Sequence, residues 1–178
     1  MATTKIKVQI DSVVPILFDR YSGINDQNDQ EAQKNALLKL YRDDAERVSL
    51  PAACLKASIR EASAEIGKKQ ESSRRKHSVR AGLFFDKEFY PLDKKKEDGI
   101  HAEIVTRKGT GNKVTRVVSY RPFVKEWSVT FEATLYALTP EFMKQVIELA
   151  GFKYGLCGHR PEYGRFVLKS FEIIEEAS

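Results

Sequence analysis

The chain of 178 residues is poor in several things, and each scarcity excludes a class of protein. It has two cysteines, Cys54 and Cys157, too few for a disulfide framework, and a reducing cytoplasm suits them. No apolar run approaches the roughly 18 residues of a membrane span, so no membrane partner is expected. The opening stretch, MATTKIKVQID, enters an alternating pattern without an apolar signal core, and a cytoplasmic location is the expectation. Glycine is scarce too. There are 10, yet Gly151, Gly155, Gly158 and Gly164 fall within fourteen positions. Such a cluster allows positive φ and the close approach of another backbone or of a ligand.

What is there fits one domain over residues 1–178, long enough to bury a core. Hydrophobic residues make up 42% and charged residues 31%, ordinary for a globular protein. The net charge is +5, and its distribution tells more than its sum. The stretch KKQESSRRKHSVR, residues 68–80, holds six of the 30 Lys/Arg and one of the 25 Asp/Glu, leaving 24 of each elsewhere. The whole positive excess therefore sits in one polar stretch. A run of this kind is either a solvated loop or an electrostatic footprint for phosphates. We read it as a mobile basic loop that orders on phosphates. Having no apolar pattern to pack, it should tolerate loss of its charges without loss of stability.

Ile6, Val8 and Ile10 alternate with polar residues, the period of a half-buried strand. Residues 19–47 read as a polar insertion with a short helix through Ala36 to Tyr41. The stretch RVSLPAACLKASIREASAEIG predicts a helix, with Ser49 near its cap, Pro51 in its first turn and Gly67 at its stop. Leu55, Ile59, Ala62 and Ile66 share one face of it. A short strand follows at Leu83 to Phe85. Residues 100–123 predict a hairpin around the glycine-containing turn RKGTGNK, too polar for a core and so projecting from the body. Trp127, Val129, Phe131, Ala133, Leu135 and Ala137 then fill the apolar face of the clearest strand. Thr139 and Pro140 open a second helix, with Phe142, Val146 and Leu149 as its buried stripe, and a strand from Arg165 to Ile174 closes the chain. Without the hairpin the order is β-α-β-β-α-β. That predicts an α+β fold of ferredoxin-like type, the arrangement of RNA-recognition (RRM-like) modules, with two helices on one face of the sheet.

Three segments carry a resemblance. RVSLPAACLKASIREA resembles the first-helix motif of the RAMP superfamily, which supplies backbone and processing subunits of CRISPR effector complexes. GLCGHRPEYGRF resembles that superfamily's C-terminal glycine-rich loop, and VQIDSVVPIL its first strand. The inserted hairpin is similar to the thumb of the backbone subunit. The resemblance implies an RNA-recognition-like fold that binds single-stranded RNA and often stacks head to tail along it. The chain is short for a backbone subunit and no second domain is visible, which suits a solitary relative, as from a phage or mobile element.

The candidate sites follow. In the glycine-rich loop, Gly155, Gly158 and Gly164 would keep a backbone bare for a phosphate-sugar chain, with Arg160 and Arg165 as counter-charges and Lys153 and His159 beside them. Lys56 and Arg60, one turn apart, match the family positions that face the strand-binding groove. Lys68, Lys69, Arg74, Arg75, Lys76 and Arg80 form the basic stretch, and Arg107, Lys108, Lys113 and Arg116 gather near the hairpin tip. Tyr120, Phe123 and Tyr136 are candidate stacking aromatics, Tyr136 the best placed; Trp127 belongs to the core. Cys157 and His159 have no partner cluster, so neither a metal nor a cofactor is expected. The leading expectation is a non-enzymatic binder of single-stranded RNA or DNA, forming a homo-oligomer along its ligand. The alternatives are an endoribonuclease using Asp44 (beside Asp43) or His159, and a phage structural or assembly protein.

Overall fold

The computed structural model describes residues 3–24, 26, 28–108 and 114–177. In chain order the elements are β1 (Thr3–Ser12), β2 (Ile16–Leu17), α1 (Asp29–Lys34), β3 (Ser49–Pro51), α2 (Ala52–Ser63), α3 (Ser72–Gly82), β4 (Leu83–Phe85), β5 (Phe89–Pro91), β6 (Gly99–Lys108), β7 (Val114–Val124), β8 (Ser128–Tyr136), α4 (Pro140–Leu149) and β9 (Phe166–Ala177). This is an α+β fold. Its centre is an antiparallel four-stranded sheet in the order β4-β8-β1-β9. A smaller sheet, β2-β7-β6, carries the hairpin, and β3 pairs with β5.

The register of the main sheet puts the apolar set of each strand on one face. Ile6 pairs with Ala133, Val8 with Phe131 and Ile10 with Val129, all buried. A slip of one residue would turn every one of these side chains to solvent, so burial itself fixes the pairing. Leu55, Ile59 and Ala62 of α2 and Met143, Val146 and Ile147 of α4 complete this core. Thr139 caps α4, its hydroxyl accepting from the Phe142 amide at 3.3 Å, with Pro140 in the first turn. The buried stripe of α4 is Met143, Val146 and Ile147, continued by Ala150 just past its end, not the expected Phe142, Val146 and Leu149. Phe142 and Leu149 flank it and are only partly buried.

Three other expectations need correction. Residues 68–80 are not a loop. A 3-10 turn at Lys69–Glu71 leads into α3, which buries Val79 and Gly82. Ser49 is not a helix cap; it lies in β3, and Pro51 takes the cap position of α2. The insertion carries α1, capped by Asn28, whose side-chain oxygen accepts from the Glu31 amide at 3.0 Å. It lies on the hairpin base: Asp29 accepts from the Tyr120 hydroxyl at 2.8 Å, and Lys39 Nζ donates to the Tyr120 carbonyl at 2.8 Å. The hairpin is thus rooted at its base, through Ser119, Tyr120 and Val124, while Ile104 and Val114 farther out are exposed.

Phe131 lies 1% exposed between Val8 and the rings of Phe85 and Tyr90, at centroid distances of 5.5 and 6.0 Å. Phe131→Ala should lower stability by about 3–5 kcal/mol in a denaturant titration. An unchanged midpoint would show that β8 does not bury this face.

Candidate nucleic-acid interface

The basic stretch is organised by one of its own cations. At the end of α2, the Arg60 carbonyl accepts from the Ser63 hydroxyl at 2.7 Å, and the Glu61 and Ala62 carbonyls accept from the Ala64 and Glu65 amides. The next carbonyls have no backbone donor of this kind, and Arg75 supplies one. Its Nε donates to Ser63 O at 3.0 Å, and its Nη2 to Ala64 O at 2.9 Å and Lys68 O at 2.7 Å. Nη1 meets Glu71 at 3.2 Å. The side chain is 13% exposed, so this guanidinium is a helix cap and is not available to a ligand. Arg75, Val79 and Gly82, spaced four and three, form the inward face of α3.

The rest of the stretch divides accordingly. Lys76 is held by Glu61 of α2. Lys68, Lys69, Arg74 and Arg80 are exposed and make no ion pair among the described residues. Arg60 is half-buried and pairs with Glu61 at 3.1 Å. Lys56 has no carboxylate partner among the described residues; its Nζ lies over the ring of Phe84, 4.9 Å from the centroid. Phe84 in turn meets Tyr136 edge to face, with centroids 5.3 Å apart and planes at 83°. The structure thus brings together Lys56, Arg80 and Tyr136 from the candidate list and adds Phe84. The expected Leu83–Phe85 strand already carried that signal, since its middle residue must face opposite Leu83.

The glycine-rich loop is occupied by the protein itself. Gly155 and Gly164 have φ of +68° and +74°. A Cβ at Gly164 would lie 2.1 Å from the Leu156 carbonyl oxygen, and one at Gly155 2.7 Å from that of Tyr163. Leu156 N donates to Gly164 O at 3.0 Å, and Gly164 N to Pro15 O at 2.8 Å. Gly158 lacks a positive φ, but it bonds Leu17 O at 2.9 Å, and a Cβ there would sit 3.2 Å from that oxygen. The close approach that these glycines permit is backbone on backbone within the fold, not a bare path for a ligand.

His159 joins this loop to the hairpin: its Nε2 lies 2.8 Å from Glu103, which also meets Arg121 at 3.3 Å and His101 at 3.5 Å. Arg121 continues to Asp19 at 3.0 Å. Lys153 is paired with Glu65 at 2.5 Å. Arg160 is exposed, whereas Arg165 is partly buried with its Nε enclosed and unpartnered. Cys54 and Cys157 are neighbours, and the interaction of the two thiols, with burial, pushes the Cys157 thiol up. Among the described residues no three His, Cys, Asp or Glu side chains are placed to hold a metal ion.

The remaining candidates scatter. Arg116 is exposed on β7 and borders a cleft of about 790 Å³ shared with Asp19, Asp26 and Asp29. Arg107 and Lys108 lie at the end of β6, and Lys113 lies outside the described residues. Tyr120 is buried against Asp29, and Phe123 lies under Gly99, so neither ring is free to stack. Trp127 is core, its Nε1 donating to Val14 O at 3.2 Å. Asp43 closes its own turn, accepting from the amides of Ala45 and Arg47. Asp44 is exposed and makes no hydrogen bond or ion pair among the described residues.

No protein-family model and no curated protein matches this sequence. Among solved structures, a chain in the cryo-EM structure of the type III-B Cmr-beta bound to cognate target RNA is similar, with a TM-score of 0.52 and 12% identity. The match covers 97% of this chain and 61% of that one, so this chain spans less than two thirds of its length. At that identity the likeness is one of fold. No helix among the described residues is long and apolar enough to cross a membrane.

Three outcomes follow for the frame of the site. Arg75→Ala leaves three carbonyls without their donor and should lower stability by about 2–3 kcal/mol, whereas Arg74→Ala should leave the melt unchanged. Gly164→Ala should cost about 1 kcal/mol or more, because both the φ and the space exclude a methyl group. The hydrogen bond from Lys76 holds the Glu61 carboxyl below its ordinary value. Its stabilisation is therefore present above the ordinary carboxylate range and lost as pH falls through the depressed folded value. Glu61→Gln should flatten the acid limb of a stability-versus-pH curve and leave its neutral limb in shape; an identical acid limb would show that the pair contributes nothing.

Proposed function

We propose that the protein binds single-stranded nucleic acid, as a RAMP-type chain built on a ferredoxin-like, RNA-recognition-like sheet. The strand order supports this: β1-α2-β4-β8-α4-β9 supplies the β-α-β-β-α-β sequence, with the last strand beside the first and α2 and α4 contributing to one core. The insertion, α3 and the β6–β7 hairpin are additions to that frame.

The observation that carries the binding reading is the set of cations around α3 that the fold leaves without carboxylates: Lys68, Lys69, Arg74 and Arg80, with Lys56 beside them. Arg75 and Lys76 of the same stretch are paired with Glu71 and Glu61, and these neighbours are the cations of this surface left for phosphates. The shared fold with a chain from an RNA-bound complex points the same way. Glycines 155, 158 and 164 and Arg75 position the surface and do not touch the ligand. Binding in the cytoplasm, with copies arrayed along a strand and no catalytic step, completes the proposal.

Exchanging Lys68, Lys69, Arg74 and Arg80 together for Ala should weaken binding of labelled single strands while the melt is kept. At about 0.7 per phosphate, the log–log salt slope should fall by roughly 2–3. A slope equal to the parent's would take α3 out of the interface. The strand should be recovered intact on a denaturing gel; shortened products would instead support an endoribonuclease.

A further inference from the structure

The open face of the main sheet is a poor surface for a polyanion. Lys5 and Lys7 of β1 share it with Asp11, with Glu132 of β8 and with Glu172 and Glu175 of β9. Lys5 is already paired with Glu132 at 3.0 Å. With that pair neutralised, three carboxylates face Lys7, a balance that disfavours phosphates over the middle of the sheet. Among the described residues this face carries no exposed aromatic ring until the β4 edge is reached.

At that edge the situation reverses. Phe84 and Tyr136 are 50% and 42% exposed although they touch each other, an unusual exposure for two adjacent rings in a protein with a filled core. Among the described residues, Lys56 stands over Phe84 without a carboxylate, and Arg80, one turn before Phe84 in the chain, has none either. Burial, and then the neighbouring Arg80, lower the pKa of Lys56, as two cations left together without an anion must do. The arrangement is also held in place. A Cβ at Gly82 would lie 2.4 Å from the Tyr136 carbonyl oxygen and 2.9 Å from Leu138, so the junction of α3 and β4 is pressed directly on β8. Phe84 follows that glycine by two residues, with its ring against Tyr136, and Arg80 precedes it by two.

We infer that Phe84 and Tyr136, with Lys56 and Arg80, form a stacking site for an unpaired nucleobase and its adjoining phosphate, so that a single strand is held along the β4 edge and α3 and not across the open sheet. This rests on the single-strand reading above. A nucleotide brings a planar π face and a negative charge in one unit, which is what the rings and the two cations require together. An acidic peptide would answer the cations and leave the rings exposed. RNA and DNA offer the same two groups.

The test measures fluorescence anisotropy with labelled oligouridine, oligothymidine and an abasic strand of equal length and charge. The parent protein should bind the base-bearing strands more tightly than the abasic one. Phe84→Leu with Tyr136→Leu should weaken the base-bearing strands about tenfold to a hundredfold, the usual worth of stacking, and abolish the difference from the abasic strand. The salt slope should stay unchanged, because no cation is lost. Tyr136→Phe alone should retain parent affinity. Both rings are half exposed, and a thermal melt checks that each variant folds. Preference for oligouridine or for oligothymidine tells RNA from DNA, and either supports the site. If the parent shows no salt-sensitive binding of any strand, the single-strand reading itself fails. If the parent binds but the double variant keeps both affinity and base preference, the strand lies elsewhere and the inference is overturned while the reading stands. Competition by oligoglutamate as strong as by unlabelled oligouridine would overturn it too, in favour of an acidic peptide.

Discussion

The guanidinium of Arg75 fills the end of α2, and the surface beside it depends on that one contact. A helix end leaves carbonyls that must find donors, and here Ser63, Ala64 and, beyond the helix, Lys68 take theirs from a single planar fork. With the guanidinium fixed at Ser63, Ala64 and Lys68, α3 must run back along α2, which it does: Lys76 meets Glu61, and four residues further on Arg80 comes near Lys56. The same rotation that turns Arg75 inward turns Arg74, His77 and Arg80 outward. Lysine could not replace it, because a single ammonium nitrogen cannot span the carbonyls that the guanidinium reaches from Nε and Nη2, held at a fixed separation.

The C-terminal glycine loop is closed by a contact of another kind. Gly155 and Gly164 bring two stretches of one loop within backbone hydrogen-bonding distance, and Gly164 and Gly158 then bond to Pro15 and Leu17 just past β1. His159, Glu103, Arg121 and Asp19 continue outward as a chain of polar contacts and tie the loop to the hairpin. The loop's glycines and His159 are thus taken up within the fold, while Arg160 stays exposed. Composition here describes a fastening.

What could be read from the sequence was what repeats locally. The period-two pattern of β1 and β8, the Thr-Pro start of α4 and the hairpin around RKGTGNK each state their structure within a dozen residues. α3 could not be found in this way. Its inward face is an arginine, a valine and a glycine, and a search for apolar periodicity sees only Val79. The stripe on α4 was displaced by one position because Met143 and Ile147 fill the core better than the bulkier Phe142 fits beneath them, and nothing local says so. Tyr120 looked free to stack because its partner, Asp29, lies 91 residues away in an insertion that reads as a loop. The glycine cluster stood out correctly as a place of close approach, but sequence does not say what approaches.

Electrostatics makes the same distinction between charge that is counted and charge that is available. The stretch 68–80 accounts for the whole +5, yet Arg75 is spent on backbone carbonyls and Lys76 on Glu61. The excess is not lost by this, because Glu61 would otherwise have neutralised a different cation, and Lys56 and Arg80 are left facing each other. Two like charges held side by side raise the free energy of the folded chain unless something negative sits between them. The folded frame that Arg75 and Gly82 impose keeps them together all the same, beside two exposed rings. A surface that tolerates this repulsion in the free state gains from it on meeting an anion, since relief of the repulsion adds to the attraction. The basic stretch therefore acts less as a diffuse cloud of charge than as a frame that sets a few unpaired cations at one edge of the sheet.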